Sequence, residues 1–253
     1  MSILSIRPLF MVAAVLAAAI SAGHAAAGET LRSKPIGVVE LFTSQGCSNC
    51  PKADRAIEQL AGRDDVVTVA YHVDYWNYMG WQDTLSAKEN TERQYGYAKT
   101  LGIRNVFTPQ IVLNGVRDTK LTDADRIADE LGNLRGTREG LPVDVAAELS
   151  HDEMTIDIGG GPVPGVDKAD VVIAYFRKHS AVEIQKGENQ GKKIVYRNAV
   201  TKLETVGMWE GKALTVKLPA ALLAKRGFDG CAILLQAHDA NGNPRRIVGA
   251  AAL

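Results

Sequence analysis

Apolar residues in this chain fall into short blocks, and their period changes near residue 140. Ile36 to Thr43 is a run of β-branched and large apolar residues that reads as a buried strand. Beyond it, Ala53, Ile57 and Leu60 recur at helical spacing until Gly62 ends the pattern. Val66 to Val73 is a second strand, and Asp74 to Asp83 is an aromatic-dense loop. Ser86 followed by Glu89 has the form of a capping box for a helix that runs to Leu101, with Gly102 as its stop. Gln110 to Leu113 is a short strand, Asn114-Gly115 is a strong two-residue hairpin signal, and the chain returns from Val116. Thr122 with Asp125 opens a last helix that packs Ile127, Leu131 and Leu134. The order is β-α-β-α-β-β-α over residues 36–135.

Past a linker at 136–142 the pattern becomes strand-like throughout. Short candidates at 143–149, 154–158, 169–177, 182–185, 193–200, 213–218, 231–237 and 246–250 are split by Gly, Pro and Asn clusters. One short helix is expected at 219–226. Strands of this length and spacing predict an antiparallel β-sandwich-like domain over 143–253.

The N-terminus carries a different signal. Arg7 precedes an apolar run from Leu9 to Ile20, and small residues follow as far as Ala25-Ala26-Ala27. This is the form of a secretory signal peptide over 1–27, cleaved near Ala27-Gly28, with 28–35 left as an N-terminal extension. The apolar run is short for a membrane span, and no later stretch is apolar for long enough to anchor the chain. The expectation is a bacterial periplasmic or secreted protein, in an oxidising compartment and without a membrane anchor. Composition agrees with a folded chain: 46% of the 253 residues are apolar and 23% charged. Lys plus Arg and Asp plus Glu both total 29, so there is no basic excess to neutralise phosphates, and nucleic acid is not an expected partner.

Three cysteines are too few for a disulfide scaffold, and their placement is uneven. Cys47-Ser48-Asn49-Cys50 lies at the strand-to-helix junction, where unpaired N–H groups and the positive end of the helix dipole favour a thiolate. Cys47 is the expected nucleophile, and Cys50 is close enough to resolve a mixed disulfide at Cys47. As a structural staple the pair is weak, because it closes a very small loop. A zinc site needs two further ligands, and the remaining histidines show no paired spacing. Pro51 stands where a haem-attachment motif has histidine. No metal and no cofactor is assigned. Two other readings stay open: a non-catalytic binding or assembly protein with a permanent Cys47–Cys50 disulfide, and a copper(I) metallochaperone drawing on Met79 and His72.

Cys231 sits in an apolar run and reads as a buried small hydrophobe; the alternative, a partner thiol, requires the second domain to fold over Cys47. His72, near Asp74, reads as a core or loop-pairing residue. Tyr75, Trp76, Tyr78, Met79 and Trp81 form either a docking rim beside the cysteines or the packing of a long insertion.

The element order, the Cys-x-x-Cys after the first strand and Thr108-Pro109 before the hairpin strand resemble the thioredoxin superfamily. The resemblance implies that Pro109 is cis and faces the cysteines, and that Thr108 and Pro109 hold an extended substrate. A narrower resemblance rests on Glu-Leu-Phe-Thr-Ser-Gln-Gly-Cys-Ser-x-Cys-Pro with Asp-Tyr-Trp-Asn-Tyr-Met-Gly-Trp downstream. It is to the exported bacterial family known as domain of unknown function 1223, and it spans nearly all of the mature chain. Thioredoxins carry a buried acid on the first strand as proton acceptor. Here the simplest register puts Leu41 there, so Glu40 is the candidate only if the strand is shifted or kinked, and otherwise reads as solvated or ion-paired. The Ser-Asn dipeptide between the cysteines matches neither thioredoxins nor strong disulfide donors, so it assigns no redox poise. The expected activity is thiol–disulfide exchange with exported proteins or small thiols, served by a redox partner outside the chain.

Overall fold

The computed structural model describes Met1, residues 34–220 and residues 229–253. The signal peptide expected over 1–27 and most of the helix expected over 219–226 lie outside the described residues. From residue 37 the chain forms β1 (Gly37–Thr43), α1 (Cys50–Ala61), β2 (Val66–His72), α2 (Lys88–Thr100), β3 (Gln110–Leu113), β4 (Arg117–Thr119) and α3 (Ala124–Leu134). A short 3-10 turn, Asn77–Met79, interrupts the aromatic loop. The order β-α-β-α-β-β-α is the one the periodicity predicts.

β1 is buried at every position because both of its faces are covered. Val38 and Phe42 join one apolar cluster, while Val39 and Leu41 join another with Ala53, Ile57 and Leu60 of α1 and Ile127 and Leu131 of α3. β1 pairs in parallel with β2 and antiparallel with β3. The β3–β4 turn uses positive φ at both central residues, 49° at Asn114 and 67° at Gly115. Gly115 has a second reason to be glycine: a Cβ there would lie 2.2 Å from the Arg245 carbonyl oxygen. Asn114 also accepts a hydrogen bond from the Val38 N–H at 2.8 Å and donates to the Glu139 carbonyl at 3.0 Å.

Two helix starts differ from the sequence reading. α2 takes Ala87 as N-cap without a side-chain cap bond. Ser86 instead accepts from Asn77 Nδ2 and donates to the Asp83 carbonyl, so its hydroxyl serves the aromatic loop. α3 is capped by Asp123, which accepts from the Arg126 N–H, one residue later than Thr122.

The second half adds β5 (Val145–Leu149), β6 (Glu153–Ile158), β7 (Ala169–Glu183), β8 (Lys193–Trp209), β9 (Leu214–Pro219), β10 (Gly230–His238) and β11 (Pro244–Ala252). The expectation of a β-rich part with a sheet of its own is corrected here. A single eight-stranded sheet runs β11-β10-β7-β8-β2-β1-β3-β4, so four C-terminal strands extend the sheet begun by β1 and β2. The other three form a small sheet, β5-β6-β9. The two layers do pack as a sandwich: Val171, Ile173 and Tyr175 of β7 and Ile233 and Leu235 of β10 meet Met154, Ile156 and Ile158 of β6. The alternate residues Val172, Ala174 and Phe176 face the opposite way, into the cluster that holds Val38 and Phe42.

The join between the halves is narrow. β2 and β8 share one parallel register pair, Ala70 with Ala199. Beside it Asn198, at φ 49°, donates to the carbonyl and the hydroxyl oxygen of Thr68 at 3.0 and 2.8 Å. The segments expected as two strands at 169–177 and 182–185 are one strand, and β8 continues nine residues past the predicted 193–200. β7 and β8 thus form a long hairpin that reaches back over the first half. Among the described residues, no helix is long and apolar enough to cross a membrane.

Candidate functional site

The loop between β1 and α1 is tight, and buried from Ser44 to Cys47. Cys47 N–H donates to the Ser44 carbonyl at 3.1 Å, and Cys50 N–H donates to the Cys47 carbonyl at 3.2 Å. Cys50 is the first residue of α1, and Pro51 fills the first turn, where its missing N–H costs nothing. Cys47 therefore stands just ahead of the helix. The two cysteines form a disulfide with Cα atoms 5.4 Å apart. Cys47 is 1% exposed and Cys50 fully buried, while Ser48 and Asn49 between them are exposed.

Under the disulfide lies a basin of buried polar groups that sequence reasoning missed. Asp54 follows Cys50 by four residues, so the two side chains share a face of α1, with Cβ atoms about 5–6 Å apart by helix geometry. Its Oδ1 accepts from Thr43 Oγ1 at 2.8 Å, and its Oδ2 is buried without a hydrogen-bond partner among the described residues. Burial pushes the Asp54 carboxyl up from 3.8 to about 7, against the pull of His72 and the Thr43 hydroxyl and with some help from the Asp83 charge. His72 is fully buried, with Nδ1 2.8 Å from Asp83 Oδ2 and Nε2 unpartnered. The Tyr196 ring from β8 stands edge-on to His72 at 4.7 Å, and its hydroxyl is also unpartnered. Burial, then the Asp54 and Asp83 charges, raise the Tyr196 phenol.

Asp83 ties the basin to the cysteine loop. Its Oδ2 accepts from the Gln45 N–H at 2.8 Å as well as facing His72, and its Oδ1 accepts from the Leu85 N–H at 2.8 Å. His72 is thus a loop-pairing histidine, paired with Asp83; Asp74 instead accepts from Thr91 Oγ1.

The aromatic loop walls the site. Trp81 Nε1 donates to Gln45 Oε1 at 2.8 Å, and Trp76 Nε1 donates to Thr108 Oγ1 at 2.7 Å. A Cβ on Gly46 would lie 3.2 Å from the Trp76 Cβ, so Trp76 bridges the cysteine loop and Thr108. The Thr108-Pro109 peptide is cis. Tyr75 is half-buried, packing beside Trp76 at 6.5 Å between ring centroids, and burial raises its phenol to about 12. Tyr78 and Met79 are the loop's exposed large hydrophobic side chains, at 81% and 38%.

The tip of the β7–β8 hairpin closes the remaining side. Asn189 is fully buried, and its Nδ2 donates to the Gln45 and Cys47 carbonyls at 2.9 and 2.8 Å. Lys192 Nζ donates to Asn189 Oδ1 at 2.8 Å, and Glu188 Oε2 accepts from the Ser48 N–H at 3.3 Å. Gly187 stands against Trp81 and the Met79 carbonyl.

Glu40 is not part of this arrangement. As the simplest register requires, it faces away from α1, and Leu41 faces α1. Its Oε1 accepts from Arg93 Nε and Nη2 at 3.0 and 2.6 Å, and its Oε2 from the Tyr97 hydroxyl. Gln236 of β10 completes the network, accepting from Arg93 at 2.7 Å and donating to the Tyr97 hydroxyl at 2.7 Å. The strand is neither shifted nor kinked, so the condition for Glu40 as proton acceptor is not met; its carboxylate takes the alternative, ion-paired role on the opposite face of the sheet. Cys231 lies in the cluster between the large and small sheets, 3% exposed, and burial pushes its thiol up to about 12. Among the described residues, no group of three or more His, Cys, Asp or Glu side chains is arranged to hold a metal ion.

A mixed α/β protein with one large sheet, few helices and a disulfide at a helix start is the class these features define. The chain belongs to the family described as protein of unknown function DUF1223, whose model matches residues 38–236. It is similar to the crystal structure of protein AGR_C_4864 from Agrobacterium tumefaciens, at 48% identity and a TM-score of 0.79, over 88% of this chain and 96% of that one. It also matches HBP35 of Porphyromonas gingivalis with a TM-score of 0.56 over 87% of this chain and 75% of that one, a likeness of fold alone at 17% identity. No curated protein matches the chain.

Proposed function

We propose that the protein is an exported, thioredoxin-like thiol–disulfide oxidoreductase acting on exported proteins or small thiols through Cys47 and Cys50. The observation that carries the reading is the Cys47–Cys50 disulfide at the start of α1, with an unpartnered Asp54 carboxylate oxygen on the same helix face. The placement of Thr108, joined through Trp76 to the cysteine loop, supports a docking edge for an extended substrate at Thr108-Pro109.

In the reduced protein, the Cys47 thiolate attacks one sulfur of a substrate disulfide. A mixed disulfide forms at Cys47, and the second substrate sulfur leaves as a thiolate with its electron pair. Cys50 then loses its proton to the Asp54 carboxylate and attacks Cys47 Sγ. The intramolecular disulfide re-forms, and the first substrate sulfur leaves as a thiolate. An acid titrating near neutrality suits this transfer, because it accepts the Cys50 proton and returns it when the pair is reduced. Run in reverse, the same steps donate a disulfide. In this reading Asp54 takes the proton-accepting role that Glu40 could have had only on a shifted or kinked strand.

The test is single-turnover exchange with a model disulfide. Cys47→Ala abolishes it, while Cys50→Ser stalls as a mixed disulfide that nonreducing electrophoresis resolves. Full exchange by Cys47→Ala sinks the proposal.

A further inference from the structure

The cysteine that must be attacked first is covered by the protein's own chain. Thiol–disulfide exchange needs a sulfur to approach Cys47 Sγ along the S–S axis, yet Cys47 is 1% exposed while its neighbours Ser48 and Asn49 are open to solvent. Part of the cover is the tip of the β7–β8 hairpin. Asn189 reaches across to two main-chain carbonyls of the cysteine loop, Gln45 and Cys47, and Glu188 accepts from the Ser48 N–H.

Resting on the exchange reading above, we infer that this tip is a displaceable occupant of the Cys47 docking face, and that the partner displacing it is an extended polypeptide carrying the reacting cysteine. The groups the tip occupies are main-chain carbonyls and a main-chain N–H. An extended strand supplies N–H donors and carbonyl acceptors in alternation, and so replaces both Asn189 and Glu188. A small thiol replaces neither and has to wait for the tip to open.

The tip is built for displacement without loss of the fold. Its polar contacts to the cysteine loop are the side-chain hydrogen bonds of Asn189 and Glu188, and the pairing of β7 with β8, from Ala169 with Trp209 to Glu183 with Lys193, and the fully buried Ile184 lie at its base, outside those contacts. Gly187 and Gly191 flank it at φ 82° and 77°. The covalent step that follows is balanced. The incoming thiolate bonds to Cys47 Sγ, the Cys47–Cys50 bond breaks, and its electron pair leaves on Cys50, which takes a proton from Asp54 or solvent.

The experiment measures reduction of the oxidised full chain by two thiols, N-acetylcysteinamide and a short extended peptide with the same cysteine at its centre. The wild type is reduced about tenfold faster by the peptide. In Asn189→Ala, which removes both carbonyl contacts, the small-thiol rate rises about tenfold and the two thiols converge. Lys192→Ala, which only loosens Asn189, falls between. The reduction potential stays at the wild-type value in both variants, because a cover that acts on access leaves the equilibrium alone.

Unchanged small-thiol rates in both variants, with circular dichroism confirming the fold, overturn the cover. Equal rates for the two thiols in the wild type overturn the polypeptide partner. A potential that moves by about 30 mV for each tenfold change in rate shows that the tip stabilises one redox state, and overturns the gate. Failure of the exchange reading looks different: Asn189→Ala accelerates reduction as stated, yet Cys50→Ser traps no substrate.

Discussion

Replacing Asp54 by asparagine keeps an acceptor for the Thr43 hydroxyl and removes the ionisable group from the basin. The carboxyl titrates at about 7 in the native state against 3.8 as its ordinary value, chiefly because burial penalises the charge. The native state therefore holds a proton that the unfolded chain has already released between those values. Stability falls as pH rises from about 4 towards 7 and levels off above, at a total cost of roughly 4 kcal/mol. Between pH 5 and pH 8 the part lost is about 2–3 kcal/mol by the same relation. Urea unfolding of the oxidised wild type and Asp54→Asn at both pH values measures it, because the change in their stability difference isolates this one group. The account predicts that the variant gains about 2–3 kcal/mol on the wild type between pH 5 and pH 8. A stability difference independent of pH refutes the reasoning and shows that Asp54 is solvated or ionised in the native protein.

The remaining predictions concern groups outside the basin. Arg93→Met leaves Glu40 buried without its ion-pair partner, and Glu40→Gln leaves the Arg93 guanidinium so; the expected loss in each is about 3–5 kcal/mol in denaturant unfolding. Cys231, buried and with its thiol raised to about 12, resists iodoacetamide at pH 8 in the native oxidised protein and labels fully in urea. Labelling in the native state contradicts its placement between the two sheets.

Local periodicity made the first half legible. The strand from Ile36, the helix carrying Ala53, Ile57 and Leu60, and the Asn114-Gly115 turn all follow from patterns that short-range physics enforces. Sheet composition was not legible, because an alternating strand states which of its faces is buried and not which strand it pairs with. Hence β7, β8, β10 and β11 read as a separate module, although β8 joins β2. The base of β8, residues 201–209, was hidden because Thr201, Lys202, Glu204 and Thr205 interrupt its apolar pattern, although it pairs with the predicted strand over 169–175.

In the site, the cysteines announced themselves and their supports did not. Asp54 had left a trace, an acid among the apolar positions of α1 that a core-facing reading passes over. Asp83 and Asn189 left none. Each acts through loop-to-loop contacts, with 38 residues between Asp83 and its bonded Gln45 and 142 between Asn189 and Cys47. Glu40 sits on the right strand, and the one-residue alternation already legible in the sequence puts Leu41 on the helix side and Glu40 on the other face, where it pairs with Arg93.

The central claim is that Cys47–Cys50 is a working redox couple and not a staple. Equilibrating the full chain in glutathione or dithiothreitol redox buffers, with the thiol state read after acid quench and alkylation, tests it most directly. The account predicts a two-electron couple at or above about −270 mV, within reach of cellular dithiol systems. A potential below about −300 mV, where structural disulfides lie, contradicts it.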